Sequence, residues 1–170
     1  FIKYCFCTLP NVFLFETVLM NKKVQYETVI KNLELILDSE RPLSVNAKMS
    51  IIASALHTTF SHWTFCGFYV ICKPDLLEIG PYQGHVLPCI HIPFGQGVCG
   101  EVASTGKSKI VEDVLLYPNY ISCDSKTRSE IVIPLFQNQK VIAVLDIDSP
   151  DVGDFEPIDQ CSLERISDFI

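Results

Sequence analysis

Apolar side chains recur at Val24, Val29, Ile30, Leu33, Ile36 and Leu37. This three-and-four spacing predicts an amphipathic helix over residues 21–37. Asp38, Ser39, Arg41 and Pro42 interrupt it, and Ser44 is placed to cap a second helix carrying Ala47, Met49, Ile52, Ala53, Leu56 and Phe60. The pattern then changes period. Cys66–Cys72 reads as a strand, Lys73-Pro74-Asp75 as a turn and Leu76–Ile79 as the returning strand. Cys89–Ile92 predicts a third strand, Val98–Thr105 a short helix closed by Gly106, and Ile110-Val111 a brief strand. A polar loop over residues 112–129 leads into a second hairpin, Glu130–Phe136 with Lys140–Ile147. Asp154 is the expected cap of a last helix with apolar Ile158, Leu163, Ile166 and Phe169. This order predicts an α+β architecture: a central antiparallel sheet, helices packed on one face, and ligand-binding loops on the other.

Length and composition fit one globular domain, since 170 residues with 48% hydrophobic and 19% charged side chains can bury a core. Residues 1–19 stand apart. They are apolar and aromatic but broken by Pro10 and Glu16, too short for a membrane span and without a clear cleavage site for a signal peptide. They are read as an extension to a single domain over residues 20–170. A net charge of −7 without a basic cluster argues against nucleic acid and anionic membranes as partners. The eight cysteines include no C-x-x-C pair, and a chain of this size needs no disulfide scaffold, so a reducing, cytoplasmic compartment is expected.

Candidate chemistry gathers in the second half. Asp146 and Asp148 alternate on one strand and therefore share a face. Glu130 joins them only if the hairpin register permits: a two-residue loop at Asn138-Gln139 would turn it away, whereas a three-residue loop over 137–139 would set it opposite Asp146. Converging acids would raise one another's pKa, bind an ammonium group and keep a proton for donation. The alternative is three solvated acids at strand ends.

Cys99 falls at a predicted helix N-terminus, where the dipole favours a thiolate and free N–H groups can hold a ligand carboxylate. Cys123 lies in the polar loop beside Asp124, Lys126 and Arg128. Cys66, Cys72 and Cys161 read as packing residues. His85, Cys89 and His91 crowd into one short stretch, which is poor geometry for a tetrahedral metal, so no metal site is expected. Trp63, Phe68 and Tyr69 offer an aromatic wall suited to a sulfur-bearing group, or ordinary core packing.

The segments GFY (67–69), IGPYQG (79–84), CIHIPFGQGVCG (89–100), VEDV (111–114), YISCD (120–124), SEIVIP (129–134) and VLDIDS (144–149) resemble the free methionine-(R)-sulfoxide reductases, which are built on a GAF domain. The resemblance implies reduction of free methionine (R)-sulfoxide through a cysteine sulfenic acid and an intramolecular disulfide. Thioredoxin, or dithiothreitol in vitro, would recycle the disulfide without a bound cofactor. It implies Cys123 as attacking residue, Cys99 as its main resolving partner and Cys89 as accessory, although the helix-terminus argument favours the reverse order for the first two. Glu130, Asp146 and Asp148, with Tyr69 and Trp63, would bind the substrate, and the three acids would protonate the departing oxygen. A homodimer is a further expectation. One departure stands out: the family has one residue between Trp and GFY, whereas Thr64, Phe65 and Cys66 follow Trp63 here, making Phe65 a candidate replacement. A non-catalytic GAF module binding a small ligand is the alternative function.

Overall fold

The helical periodicity before residue 60 is realised as two helices, α1 (Asn11–Leu37) and α2 (Val45–Thr59), in a computed structural model that describes residues 11–37 and 42–170, with side chains from Lys22 onward. The expected extension over residues 1–19 lies partly outside the described residues; from Asn11 the chain is already part of α1. Ser44 caps α2, its Oγ accepting from the Ala47 N–H at 3.2 Å.

Six strands follow: β1 (Phe65–Lys73), β2 (Leu76–Gly84), β3 (His91–Pro93), β4 (Lys109–Val111), β5 (Ser129–Gln137) and β6 (Lys140–Ser149). They form one sheet in the order β3-β2-β1-β6-β5-β4, with every neighbouring pair antiparallel. The third strand starts at His91 rather than Cys89, because the chain at Cys89 leaves the sheet to meet Cys123. Helix α3 (Gly97–Thr105) ends on Gly106, whose φ of 64° closes it in the left-handed region. A single 3-10 turn, Val114–Leu116, punctuates the loop after β4.

The sheet separates two cores. On one face α1, α2 and the final helix α4 (Pro157–Ser167) cover Cys66, Phe68, Ile131, Ile133, Leu145 and Ile147. On the other, α3 and the loops cover Phe65, Tyr69, Val132 and Val144. Burial of each large apolar side chain contributes about 1.5–3 kcal/mol.

A polar clamp joins the first and last helices. Lys22 Nζ donates to Asp159 Oδ2 at 2.9 Å and to the Asp154 carbonyl at 2.6 Å, while Tyr26 OH donates to Asp159 Oδ1 at 2.8 Å. The expected cap Asp154 is not the cap of α4. Glu156 takes that place in a capping box with Asp159, because Pro157 sets the first helical turn. Asp154 instead meets His62 Nε2 at 2.9 Å and Lys22 at 3.7 Å.

Candidate active site

The acids converge through a route the sequence pattern does not reveal. The β5–β6 turn has two residues, Asn138 and Gln139, with φ of 51° and 64°, as a primed hairpin turn requires. An unbroken ladder from Gln137–Lys140 would pair Glu130 with Ile147, on the helix side. A bulge between Leu135 and Phe136 adds one residue to β6, so Glu130 pairs with Asp148 and Val132 with Asp146. Directly opposed residues share a face, and Phe65 pairs with Asp148 across the other edge of β6. Glu130, Asp146, Asp148, Phe65 and Tyr69 therefore point together, away from α1, α2 and α4.

They line a cavity of about 30 Å³ with Cys99, Cys123, Asp124, Tyr120, Val86, Pro88 and Ile92. Gln96, Gly97 and Val98 add the start of α3 to its wall. The first turn of a helix carries N–H groups without intrahelical partners, so the cavity joins acids at one side to amide donors at another. Gly67 pairs with Asp146 on β1. A Cβ there would press on the Phe65 ring at 2.9 Å, so the missing side chain lets that ring lie near the acids.

Glu130 and Asp146 are 5% and 6% exposed, which removes most of their hydration. Burial is the largest influence on all three acids. It pushes Asp146 up to about 7, against the opposing hydrogen bonds of Cys99 and Glu130. Burial and the Asp146 charge push Glu130 and Asp148 well above the usual carboxylate range. Asp146 Oδ1 and Asp124 Oδ2 are buried with no protein hydrogen-bond partner among the described residues. Such atoms are costly unless a donor reaches them.

The cysteines are arranged differently from expectation. Cys89 and Cys123 form a disulfide, with Cα atoms 5.4 Å apart and a sequence separation of 34. Cys99, expected as the main partner of Cys123, is a buried free thiol whose Sγ lies 3.9 Å from Glu130 Oε1. Its place in the first turn of α3 does not produce a thiolate. Burial, followed by the charges of Asp146, Glu130 and Asp148, pushes the Cys99 thiol well above its ordinary range and outweighs the helix dipole. Cys99, Glu130 and Asp146 offer three ligand atoms within 4.8 Å of one another, a donor set that favours a cation.

Trp63 does not reach the pocket. It is 1% exposed on the helix side, stacked on Phe60 at 4.4 Å and close to Phe155. The residues between Trp63 and Gly67 carry the tryptophan past the end of β1, and Phe65 supplies the aromatic wall together with Tyr69. Phe68, with the opposite parity on β1, also belongs to the helix-side core. Tyr120 and Asp124 were not singled out by residue type; their only signal was position beside Cys123 in the YISCD segment.

The GAF domain model matches residues 27–170. The free methionine-R-sulfoxide reductase of Saccharomyces cerevisiae is 36% identical over 156 residues, covering 89% of this chain and 86% of its own length. The enzyme of the same description from Escherichia coli is 33% identical, covering 86% and 87%. The X-ray structure of free methionine-R-sulfoxide reductase from Neisseria meningitidis, in complex with its substrate, superposes with a TM-score of 0.81 at 36% identity and covers 87% of each chain. Matching fold, near-complete mutual coverage and identity above the level of fold likeness alone lead to one assignment: this chain belongs to the free methionine-R-sulfoxide reductase family, within the GAF-domain fold.

Proposed function

We propose that the protein reduces free methionine (R)-sulfoxide to methionine. The observation that carries this reading is the placement of a cysteine disulfide and three proton-retaining acids, Glu130 and Asp146 buried and Asp148 partly buried, around one cavity. The acids suit a free amino acid. An ammonium group supplies the donors and the positive charge that Asp146 Oδ1 and its neighbours lack, whereas a peptide nitrogen is neutral and cannot offset the desolvation of carboxylates. The N–H groups at the start of α3 suit the substrate carboxylate.

In this reading Cys123 attacks the sulfoxide sulfur as a thiolate. A proton from the acid cluster goes to the sulfoxide oxygen. The methionine S–O bond breaks as the hydroxyl passes to the Cys123 sulfur, so that methionine leaves, reduced by two electrons, and Cys123 is left oxidised as a sulfenic acid. The Cys89 thiol then attacks the Cys123 sulfur, water departs, and the Cys89–Cys123 disulfide forms. An external dithiol, thioredoxin in the cell or dithiothreitol in vitro, takes the disulfide back to two thiols. Cys99, buried against Glu130, is held behind this pair as a second reserve thiol. A cavity of about 30 Å³ has room for little more than water. The disulfide state is therefore a product-released state, and substrate enters when reduction lets the segments carrying Cys89 and Cys123 part.

The same reading takes residues 20–170 as the catalytic unit, with 1–19 as an extension, and has the protein act in the cytoplasm as a homodimer paired through its helices. Among the described residues no helix is long and apolar enough to cross a membrane. The test uses single-turnover reaction of fully reduced protein with free methionine (R)-sulfoxide. Cys123→Ser should release no methionine. Cys89→Ser should release one equivalent but form no Cys89–Cys123 disulfide. Methionine release by Cys123→Ser would assign the attack elsewhere.

A further inference from the structure

On the face of the sheet opposite the pocket, three side chains of different donor type meet at the edge formed by β1, β2 and β3. Glu78 pairs with Val70 on one side and with His91 on the other, so all three share the helix-side face. Cys72, two residues after Val70 on β1, shares that face by strand alternation and sits at the register irregularity between Ile71 and Lys73. One ligand atom from each of Cys72, Glu78 and His91 lies within 4.8 Å of the others. His91 Nε2 and Glu78 Oε2 are 3.4 Å apart, and both side chains are about half exposed, 50% and 48%. Cys72 is exposed as well. A metal has direct access.

We propose that Cys72, Glu78 and His91 form a surface site for a thiolate-preferring divalent transition metal of the zinc class. Thiolate, imidazole and carboxylate form a mixed donor set that zinc accepts, whereas magnesium and calcium require oxygen. Bonds of about 2.0–2.3 Å to a tetrahedral ion put donor atoms about 3.3–3.8 Å apart. The Glu78–His91 separation is already in that range, and a rotamer adjustment of Cys72 closes the set. Three protein ligands leave the fourth position to water. Binding displaces the Cys72 proton to solvent and changes no oxidation state. Three adjacent strands on rigid backbone supply the ligands, in contrast to the crowded His85, Cys89 and His91 of one segment. His91 also lies two residues after Cys89, so an occupied site fastens the start of β3 next to the redox-active segment.

The test titrates cobalt(II), a spectroscopic substitute for zinc, into the full chain with the Cys89–Cys123 disulfide intact. One equivalent should bind and give a thiolate-to-cobalt charge-transfer band. Cys72→Ser should abolish the band, and His91→Ala should weaken binding at least about tenfold. Circular dichroism confirms that these surface variants fold. Cys99→Ser, Cys161→Ser and the Cys5→Ser/Cys7→Ser pair should keep the band. A missing band, or one that survives Cys72→Ser, overturns the proposal.

Discussion

Glu130 stands directly opposite Asp148 across the β5–β6 ladder, although the turn joining the strands has only two residues. The bulge after the turn makes this possible. Ile142 and Ala143, consecutive on β6, both pack on the helix side, and every residue beyond them is shifted by one. One inserted residue therefore turns a strand that would bury Glu130 among helices into one that delivers it to Asp146 and Asp148.

The acid cluster should make the protein less stable as pH rises. The folded-state value of Asp146, about 7, exceeds the unfolded value near 3.9, so the folded state binds the proton more tightly. The resulting stabilisation is complete below the unfolded value and is lost as pH climbs through about 7. Glu130 and Asp148 shift in the same direction. Asp146→Asn removes the effect. It should be more stable than the native protein at pH 8 by roughly 4 kcal/mol, with little gain at pH 4, and should lose activity. Urea denaturation at both pH values checks this; equal stability at pH 8 would mean the acids are not desolvated as described.

Lys22 offers a test of how α1 is held. Asp159 is wholly buried and carries Lys22 on one oxygen and Tyr26 on the other. Lys22→Met leaves that carboxylate without its cation and should cost about 3 kcal/mol. Tyr26→Phe, which removes one hydrogen bond, should cost about 1–2 kcal/mol. Denaturant midpoints of the two variants give the comparison.

The aromatic residues should separate by face. Trp63→Leu opens space in the helix-side core and should destabilise by about 2–4 kcal/mol, with KM for the sulfoxide nearly unchanged. Phe65→Leu, in the pocket wall, should raise KM severalfold at smaller cost in stability. Michaelis–Menten parameters and melting temperatures together distinguish these outcomes. A large KM change in Trp63→Leu would return the tryptophan to the pocket.

Helix and strand periods were enough to read the layer order, and Ser44 and Gly106 mark helix ends by local chemistry that needs no tertiary partner. Alternation also placed Asp146 and Asp148 together. What stayed hidden depended on distant contacts. The inserted residue, Ile142, is neither glycine nor proline, so only the wrong loop length put Glu130 on the acid face, and it then set Glu130 opposite Asp146 rather than Asp148. The Cys89–Cys123 pairing rests on two loops meeting in space. Cys99 looked activated because a helix terminus is visible in sequence, whereas the desolvation and the acids that oppose it are not. Trp63 looked like a pocket residue because spacing along a strand says nothing about where the strand begins.

The most direct test follows the two epimers of free methionine sulfoxide during incubation with the protein and dithiothreitol. The R epimer should disappear, the S epimer remain and an equal amount of methionine appear, and Cys123→Ser should abolish the reaction. Persistence of both epimers with folded, reduced protein would contradict it and favour a GAF module that binds a small ligand without chemistry.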